Sequence, residues 1–186
     1  MSDITLMLKA VERGEAGASQ DLLPLVYDEL RRVAAARMAH EVAEHTLQPT
    51  ALVHEAWLRL IGDGAPTSWQ SRGHFFAAAA TAMRRILVEN ARRRRRLKRG
   101  GGATQLNVDD VDVAEPTPNE DILRIHEALT KLEQVNPEQA KIVELKFFGG
   151  LTNEEVAQNM GISERTVYRQ WVCAKARLFR EIRQQE

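Results

Sequence analysis

Seven cationic side chains occupy eight consecutive positions near the middle of the chain: Arg92, Arg93, Arg94, Arg95, Arg96, Lys98 and Arg99. A helix terminus gains from one or two cations that complement its dipole, but so many neighbouring cations repel one another. Nucleic-acid phosphates supply the matching negative charge, because Lys and Arg side chains that neutralise them provide much of the affinity for DNA. This segment, called the arginine block below, therefore predicts contact with nucleic acid.

A second candidate for DNA contact lies near the C-terminus, where the sequence predicts two helices joined by a short turn. Thr152 and Glu155 have the spacing of a capping box, which starts a helix. Gly161 suits the left-handed turn that ends it, and Ser163 can cap the next helix. With Val167 as a buried anchor, this pattern is typical of a DNA-binding helix-turn-helix, although a plain helical hairpin with a solvated charged face would give similar spacing.

The last predicted helix separates apolar from basic residues. At 100° per residue, one face carries Val167, Trp171, Ala174 and Leu178. Arg165 and Arg169 point to the opposite side, and with Tyr168 they are suited to reading base edges in a major groove. Ser163 and Lys175 are placed to hold phosphates, which would fix the register of the helix without specifying bases.

Helical periodicity elsewhere predicts the elements that position these residues. Apolar stripes in the N-terminal part indicate helices near residues 4–12, 22–33, 53–61 and 74–96. In the C-terminal part, breakers separate helices at about 122–132, 137–148, 152–160 and 163–183. The predicted fold class is all-α, with two small helical domains.

Charge divides the chain into three segments, although its formal net charge is zero. Residues 1–99 carry a net charge of +5, residues 100–120 carry −5, and residues 121–186 are balanced. The acidic segment also contains Gly100, Gly101, Gly102 and Pro116, which interrupt helices. We therefore predict an N-terminal domain at 1–97, a flexible acidic linker at 98–118 and a C-terminal domain at 119–186.

Several classes of protein fit the sequence poorly. Cys173 is the single cysteine, so no internal disulfide can form, and the N-terminus lacks the basic start and apolar run of a signal peptide. The longest apolar stretch is far shorter than the roughly 20 residues that span a membrane. We therefore expect a cytoplasmic protein without a membrane anchor.

Enzyme chemistry is also weakly supported. His40 and His45 flank a glutamate-containing segment, but a spacing of five places them about 140° apart on a helix, so they would not share a zinc-ligand face. The glycines at 100–102 follow a helix and not a strand, which argues against a phosphate-binding loop. We expect a non-enzymatic protein with no metal and no other cofactor.

The order of these parts, over nearly the whole chain, resembles the extracytoplasmic-function (ECF) sigma factors. Residues 52–60 (LVHEAWLRL) are similar to the region-two helix with which that family grips the clamp of RNA polymerase. This resemblance implies polymerase contacts from Leu52, His54, Glu55 and Arg59. The following helix and the loop before it serve the minus-ten promoter element in the family, which implies contacts from Trp69, Arg84, Arg85, Arg92, Arg93 and Arg94.

Residues 137–183 resemble region four, which reads the minus-thirty-five element; FFGGLTNEEVA at 147–157 follows its pattern closely. The resemblance implies DNA contacts from Ser163, Glu164, Arg165, Thr166, Tyr168, Arg169 and Lys175. It further implies a sigma factor that binds the core polymerase through clamp and flap regions and directs initiation at promoter DNA. It also allows an inhibitory anti-sigma partner.

Two features depart from the family pattern: Cys173 stands where many relatives have arginine, and an aromatic residue frequent near the start of the third helix is missing. An Ala-Trp-Leu sequence is frequent after the position of Phe75, but Ala77, Ala78 and Ala79 stand nearby in this chain. Trp69 in the preceding loop could either stack on a melted base or anchor the loop on the core.

The main alternative is a stand-alone helix-turn-helix regulator that binds duplex operator DNA. Such a regulator would bind DNA by itself, commonly as a dimer, whereas a sigma factor needs core polymerase. The regulator hypothesis accounts for the C-terminal half of the sequence and leaves the arginine block unexplained.

Overall fold

Helices account for the regular structure in the part of the chain that the structure describes, as the periodicity predicts. The computed structural model describes residues 3–38, 47–61, 69, 71–100 and 118–184. Within these ranges the helices are α1 (Asp3–Glu12), α2 (Ala18–Met38), α3 (Pro49–Ile61), α4 (Arg72–Gly100), α5 (Pro118–Val135), α6 (Pro137–Val143), α7 (Asn153–Met160) and α8 (Glu164–Arg183), and there is no strand. A π-helical turn at Glu144–Phe148 continues α6. The predicted all-α fold is confirmed.

Helices α1 to α4 form the N-terminal half. The apolar stripe predicted for α2 is buried at Leu22, Val26 and Leu30, and α2 packs against α1 and α3. Helix α4 presents two fully buried phenylalanines, Phe75 and Phe76, whose rings meet edge to face. These contacts support α4, the long helix that carries the arginine block.

Short helices with clear caps form the C-terminal half. Asn136 accepts a hydrogen bond from the backbone N–H of Gln139, and Pro137 occupies the first helical position of α6, where its missing N–H is tolerated. The predicted capping box of α7 is present, since Thr152 and Glu155 each bond the backbone of the other. Gly161 ends α7 with a φ of 67°.

The two halves share one continuous cluster of buried side chains. Helix α4 packs against α3 on one side and against α5, the π-helical turn and α7 on the other. It ends at Gly100, at the start of the predicted glycine break, and α5 begins at Pro118. Most of the predicted linker at 98–118, and the pair His40 and His45, lie outside the described residues.

Gly161 provides a test of the turn between α7 and α8. Its left-handed backbone disfavours any residue with a Cβ atom, although the space around it is open. We expect Gly161→Ala to lower the free energy of unfolding by about 1–2 kcal/mol, because the penalty is conformational. Urea unfolding followed by circular dichroism measures this change.

Gly73→Ala is the matched control. Gly73 lies in α4, and an added Cβ there would meet its nearest neighbour at an ordinary 3.8 Å. Alanine should therefore leave stability unchanged or raise it by up to about 1 kcal/mol. Equal destabilisation by both substitutions would contradict the conformational role of Gly161.

Candidate nucleic-acid interface

The α7–α8 pair has the geometry of a helix-turn-helix. Residues 161–163 connect the helices, and the Ser163 side chain accepts a hydrogen bond from the backbone N–H of Thr166 at 3.1 Å. Val167 and Ala174 are fully buried, and α8 packs against α5, α6 and α7. The buried face of α8 fixes the direction in which its other face points.

The exposed face of α8 brings together the residues predicted to read the upstream promoter element. Ser163, Glu164, Arg165, Tyr168, Arg169 and Lys175 are exposed, and Thr166 is half-buried. Tyr168 leaves 61% of its surface accessible, which is high for a large aromatic side chain. The first two turns of α8 therefore present cations and an aromatic ring together.

Cations also surround Trp171, on the flank of α8. The ammonium groups of Lys146 and Lys175 lie 5.6 and 5.4 Å from the centre of its ring, within the range of cation–π contact. Burial and the charge of Lys175 lower the pKa of Lys146. Lys146 also donates to the side chain of Asn153 and to the carbonyl of Leu151, so it joins the π-helical turn to α7.

The arginine block occupies the last turns of α4. Arg92, Arg93, Arg95 and Arg96 are exposed, and Arg94 is half-buried. Arg93 donates a hydrogen bond to the Asn90 side chain at 2.9 Å. The side chains of Lys98 and Arg99 lie outside the described residues. Five of the seven predicted cations thus project from one helical segment, and Arg85 is exposed about two turns before it.

Arg84 has a different environment from the other predicted contacts. It is only 7% exposed, and its guanidinium donates to Glu133 of α5 and to Glu144 of the π-helical turn. A further donor atom lies 3.2 Å from Nδ1 of His126, which can only accept from a guanidinium. In this conformation Arg84 joins the two halves and is not accessible to DNA.

Ionisation of the groups around Arg84 is shifted. Burial by itself would raise the pKa of Glu144, but hydrogen bonds from Thr81, Lys141 and Arg84 and the charge of Lys141 hold it below its usual value. For His126, burial and then the charges of Arg84 and Arg92 lower the pKa of the ring. The cluster is therefore built for an ionised Glu144 and a neutral His126.

Trp69 is also covered in this conformation. It is 6% exposed, and its ring meets those of His74 and Phe75 edge to face at 5.7 and 5.6 Å. The indole packs where the chain enters α4, which is the anchoring arrangement considered from the sequence. Stacking on a base would require the indole to leave these contacts.

The residues predicted to contact polymerase differ in exposure. Leu52 is fully buried, whereas His54 and Arg59 are exposed on α3. Arg59 donates to Glu55 at 2.8 Å and to Glu89 of α4 at 2.6 Å. The hydrogen bond from Arg59 lowers the pKa of Glu89, against an opposing effect of burial. Charged groups of α3 and α4 are therefore joined to one another at this surface in the unbound protein.

Sequence reasoning missed the polar side chains that join the halves. Thr81 donates to Glu144 at 2.6 Å, and Arg72 pairs with Glu29 of α2 and with Glu155 of α7. Glu144 lies between Val143 and Leu145, and Arg72 lies just before the predicted helix that begins near His74, so neither position identifies its partner in the sequence. The one available signal was a carboxylate between two apolar residues, since a buried carboxylate usually has a partner.

An all-α protein with an exposed, cationic helix-turn-helix and a second cationic helix belongs among the nucleic-acid-binding proteins. A family model described as ECF sigma factor matches residues 1–184, and the chain belongs to that family. Its function is therefore that of a sigma factor in transcription initiation, and sigma factors are not enzymes. No curated protein matches the chain. No helix in the described ranges is long and apolar enough to cross a membrane.

The depressed pKa of His126 predicts a pH dependence of stability. The unfolded chain binds this proton more readily than the folded protein does. The contribution of His126 to the free energy of unfolding is therefore fully present above the ordinary histidine pKa of 6.5 and is lost as the pH drops below it. We expect the midpoint of urea unfolding to decrease when the pH is lowered from about 7.5 to about 5.5. The substitution His126→Gln should make that decrease smaller. His54→Gln, at an exposed site, is the control. An unchanged pH dependence in His126→Gln would contradict this role.

Proposed function

We propose that this sigma factor binds core RNA polymerase and directs it to promoters through two separate DNA surfaces. The exposed face of α8 reads the minus-thirty-five element as duplex, and the basic side of α4 holds the minus-ten element as it opens. The observation that carries this proposal is the recognition helix α8, whose buried Val167 and Ala174 leave Arg165, Tyr168 and Arg169 exposed.

Upstream recognition follows from the shape of the major groove, which admits an α-helix and displays a distinct donor and acceptor pattern for each base pair. The guanidinium groups of Arg165 and Arg169 can each donate two hydrogen bonds to one base, and Tyr168 adds an aromatic ring with a hydroxyl group. Ser163 and Thr166 at the helix start, with Lys175 farther along, hold phosphates on both sides of the groove. Glu164 shares this surface, where a carboxylate can accept from the amino group of cytosine.

Strand opening requires a surface that binds the melted product. Extruding a base costs a few kcal/mol, so the opened strand must be held to compensate. Cations along a groove hold the backbone, which is the role proposed for Arg85, Arg92, Arg93 and Arg94. Arg84 and Trp69 join this surface only after they leave the contacts that now bury them.

Contact with polymerase is proposed on α3 and the adjoining surface of α4. His54, Glu55 and Arg59 present ordered polar groups there, while Leu52 supports the helix from within the core. We place this surface against the polymerase clamp and the C-terminal half against the flap. Because core polymerase and promoters are in the bacterial cytoplasm, we place the protein there as well.

The test is transcription in vitro with purified bacterial core polymerase on upstream DNA from the source genome, with melted bases mapped chemically. We expect melting only when both proteins are present. Replacing Arg92, Arg93 and Arg94 together by alanine should abolish melting and lower the slope of log affinity against log salt by roughly 2, since each single-strand phosphate contact contributes about 0.7.

Arg31→Ala/Arg32→Ala is the control for loss of charge. These two arginines are exposed on α2, outside the proposed surfaces, and their removal should leave melting intact. Binding of the protein alone to duplex DNA, without association with core polymerase, would replace the sigma proposal by the regulator hypothesis. Full melting by the triple variant would remove the arginine block from strand opening.

A further inference from the structure

One acidic residue interrupts the cationic surface of α4. Glu89 is the single acidic residue in the sequence of this helix, and its side chain is exposed. At 100° per residue it lies on the same side of the helix as Arg85, Arg92 and Arg96, which are exposed as well. These four residues are called the α4 stripe below. A DNA strand that follows the three arginines therefore passes over a negative charge.

An arginine from the neighbouring helix neutralises this charge. Arg59 of α3 donates to both carboxylate oxygens of Glu89, from Nη1 to Oε1 at 3.2 Å and from Nη2 to Oε2 at 2.6 Å. Two parallel hydrogen bonds of this kind fix the direction of the guanidinium as well as its distance. The hydrogen bond to Glu89 is also the largest cause of the raised pKa of Arg59. Glu89 is therefore compensated from α3 and not from within α4.

This compensation leaves Arg85 available to DNA. Arg85 lies four residues before Glu89, a spacing at which oppositely charged side chains on a helix attract one another. Its charge contributes to the lowered pKa of Glu89, but less than the hydrogen bond from Arg59 does. Because Arg59 neutralises Glu89, the guanidinium of Arg85 can face a phosphate instead. Without Arg59, the carboxylate would attract Arg85 and repel the strand.

Arg59 is held in place by a second carboxylate. Glu55, one turn earlier on α3, accepts from Nη2 of Arg59 at 2.8 Å, so the guanidinium lies between two acids. A guanidinium has five N–H donors, and Arg59 makes three hydrogen bonds to these two acids. Its charge is therefore directed toward the border of α3 and α4, whereas the family resemblance implies only a direct contact with polymerase.

We propose that Arg59 is part of the surface for the opened strand, where it acts by compensating the charge of Glu89. This inference rests on the proposed function and extends the minus-ten surface from α4 onto α3. Arg59 is a positioning residue in this role, since it acts on DNA through Glu89 and Arg85. It determines whether the α4 stripe attracts the strand along its whole length. Helix α3 thus serves both polymerase and the opened strand.

Substitutions with opposite effects test this role. Arg59→Ala leaves Glu89 uncompensated, whereas Glu89→Gln removes the negative charge and keeps a side chain that can accept from Arg59. The probe is a fluorescent single-stranded oligonucleotide with the non-template sequence of a promoter that wild type melts. Its binding is measured with preformed complexes of each variant and core polymerase. We expect several-fold weaker binding for Arg59→Ala and binding at least as tight as wild type for Glu89→Gln.

Arg59→Gln provides a second variant at the same position. Glutamine keeps a donor that can reach Glu89 and removes the positive charge. We expect this variant to bind the oligonucleotide as weakly as Arg59→Ala does. It replaces the alanine variant in every comparison if that variant does not fold, which circular dichroism measures.

The salt dependence of binding shows whether charge is the cause. Each phosphate neutralised on a single strand contributes about 0.7 to the slope of log affinity against log salt. Arg59→Ala should therefore lower that slope by roughly 0.7. The double variant Arg59→Ala/Glu89→Gln should regain both the slope and the affinity of wild type.

Arg13→Ala is the matched control. Arg13 is an exposed arginine that pairs with Glu15 at 2.9 Å, and it lies between α1 and α2, outside both proposed DNA surfaces. Its removal takes away the same charge and breaks a similar exposed ion pair. The oligonucleotide should bind this variant and wild type equally well, with the same salt slope.

Three results would overturn the role of Arg59 while the sigma function stands. Wild-type binding by Arg59→Ala would remove Arg59 from the strand surface. Equal weakening by Arg59→Ala and Glu89→Gln would show that the ion pair only holds α3 against α4. A loss in Arg59→Ala that Glu89→Gln does not rescue would show that Arg59 acts through another contact, such as one with polymerase.

Failure of wild type to melt promoter DNA with core polymerase is a separate outcome. It would reject the proposed function, and the role of Arg59 on the opened strand would fall with it. Because melting by wild type is measured before any variant is compared, the two failures can be told apart.

Discussion

Arg84 carries its positive charge into the contact between the two halves, and the rest of the arrangement depends on how that charge is compensated. In general, removing one partner of a buried ion pair destabilises the folded protein by about 3–5 kcal/mol. An intact pair adds little stability compared with apolar packing. Glu133 and Glu144 therefore permit the contact between the halves without making it highly stable.

Local signals account for the parts of the fold that could be predicted from the sequence. The capping box at Thr152, the left-handed turn at Gly161 and the buried anchor Val167 each depend on residues close together in the chain, and all three are present. The apolar stripe of α4 could also be predicted, because its apolar residues recur in the sequence at helical spacing. Local order of this kind places α8 and the arginine block on well-defined helices.

Contacts between distant segments could not be predicted in the same way. Arg84 appears in the sequence as one more cation before the arginine block, and 49 positions separate it from Glu133. Its burial follows from the alanines beside it and from Gly149, which let the π-helical turn come close. Trp69 left two roles open in the sequence, and the packing around it shows the anchoring contact in the conformation described.

The central claim is that two surfaces of this sigma factor meet two different promoter elements in the complex with core polymerase. Site-specific photocrosslinking from Tyr168 of α8 and from Arg92 of α4 tests this claim most directly, since both positions are exposed. We predict crosslinks from Tyr168 to the minus-thirty-five element and from Arg92 to the minus-ten element, and only when core polymerase is present. Crosslinks from both positions to the same element, or crosslinks that form equally well without polymerase, would contradict the account.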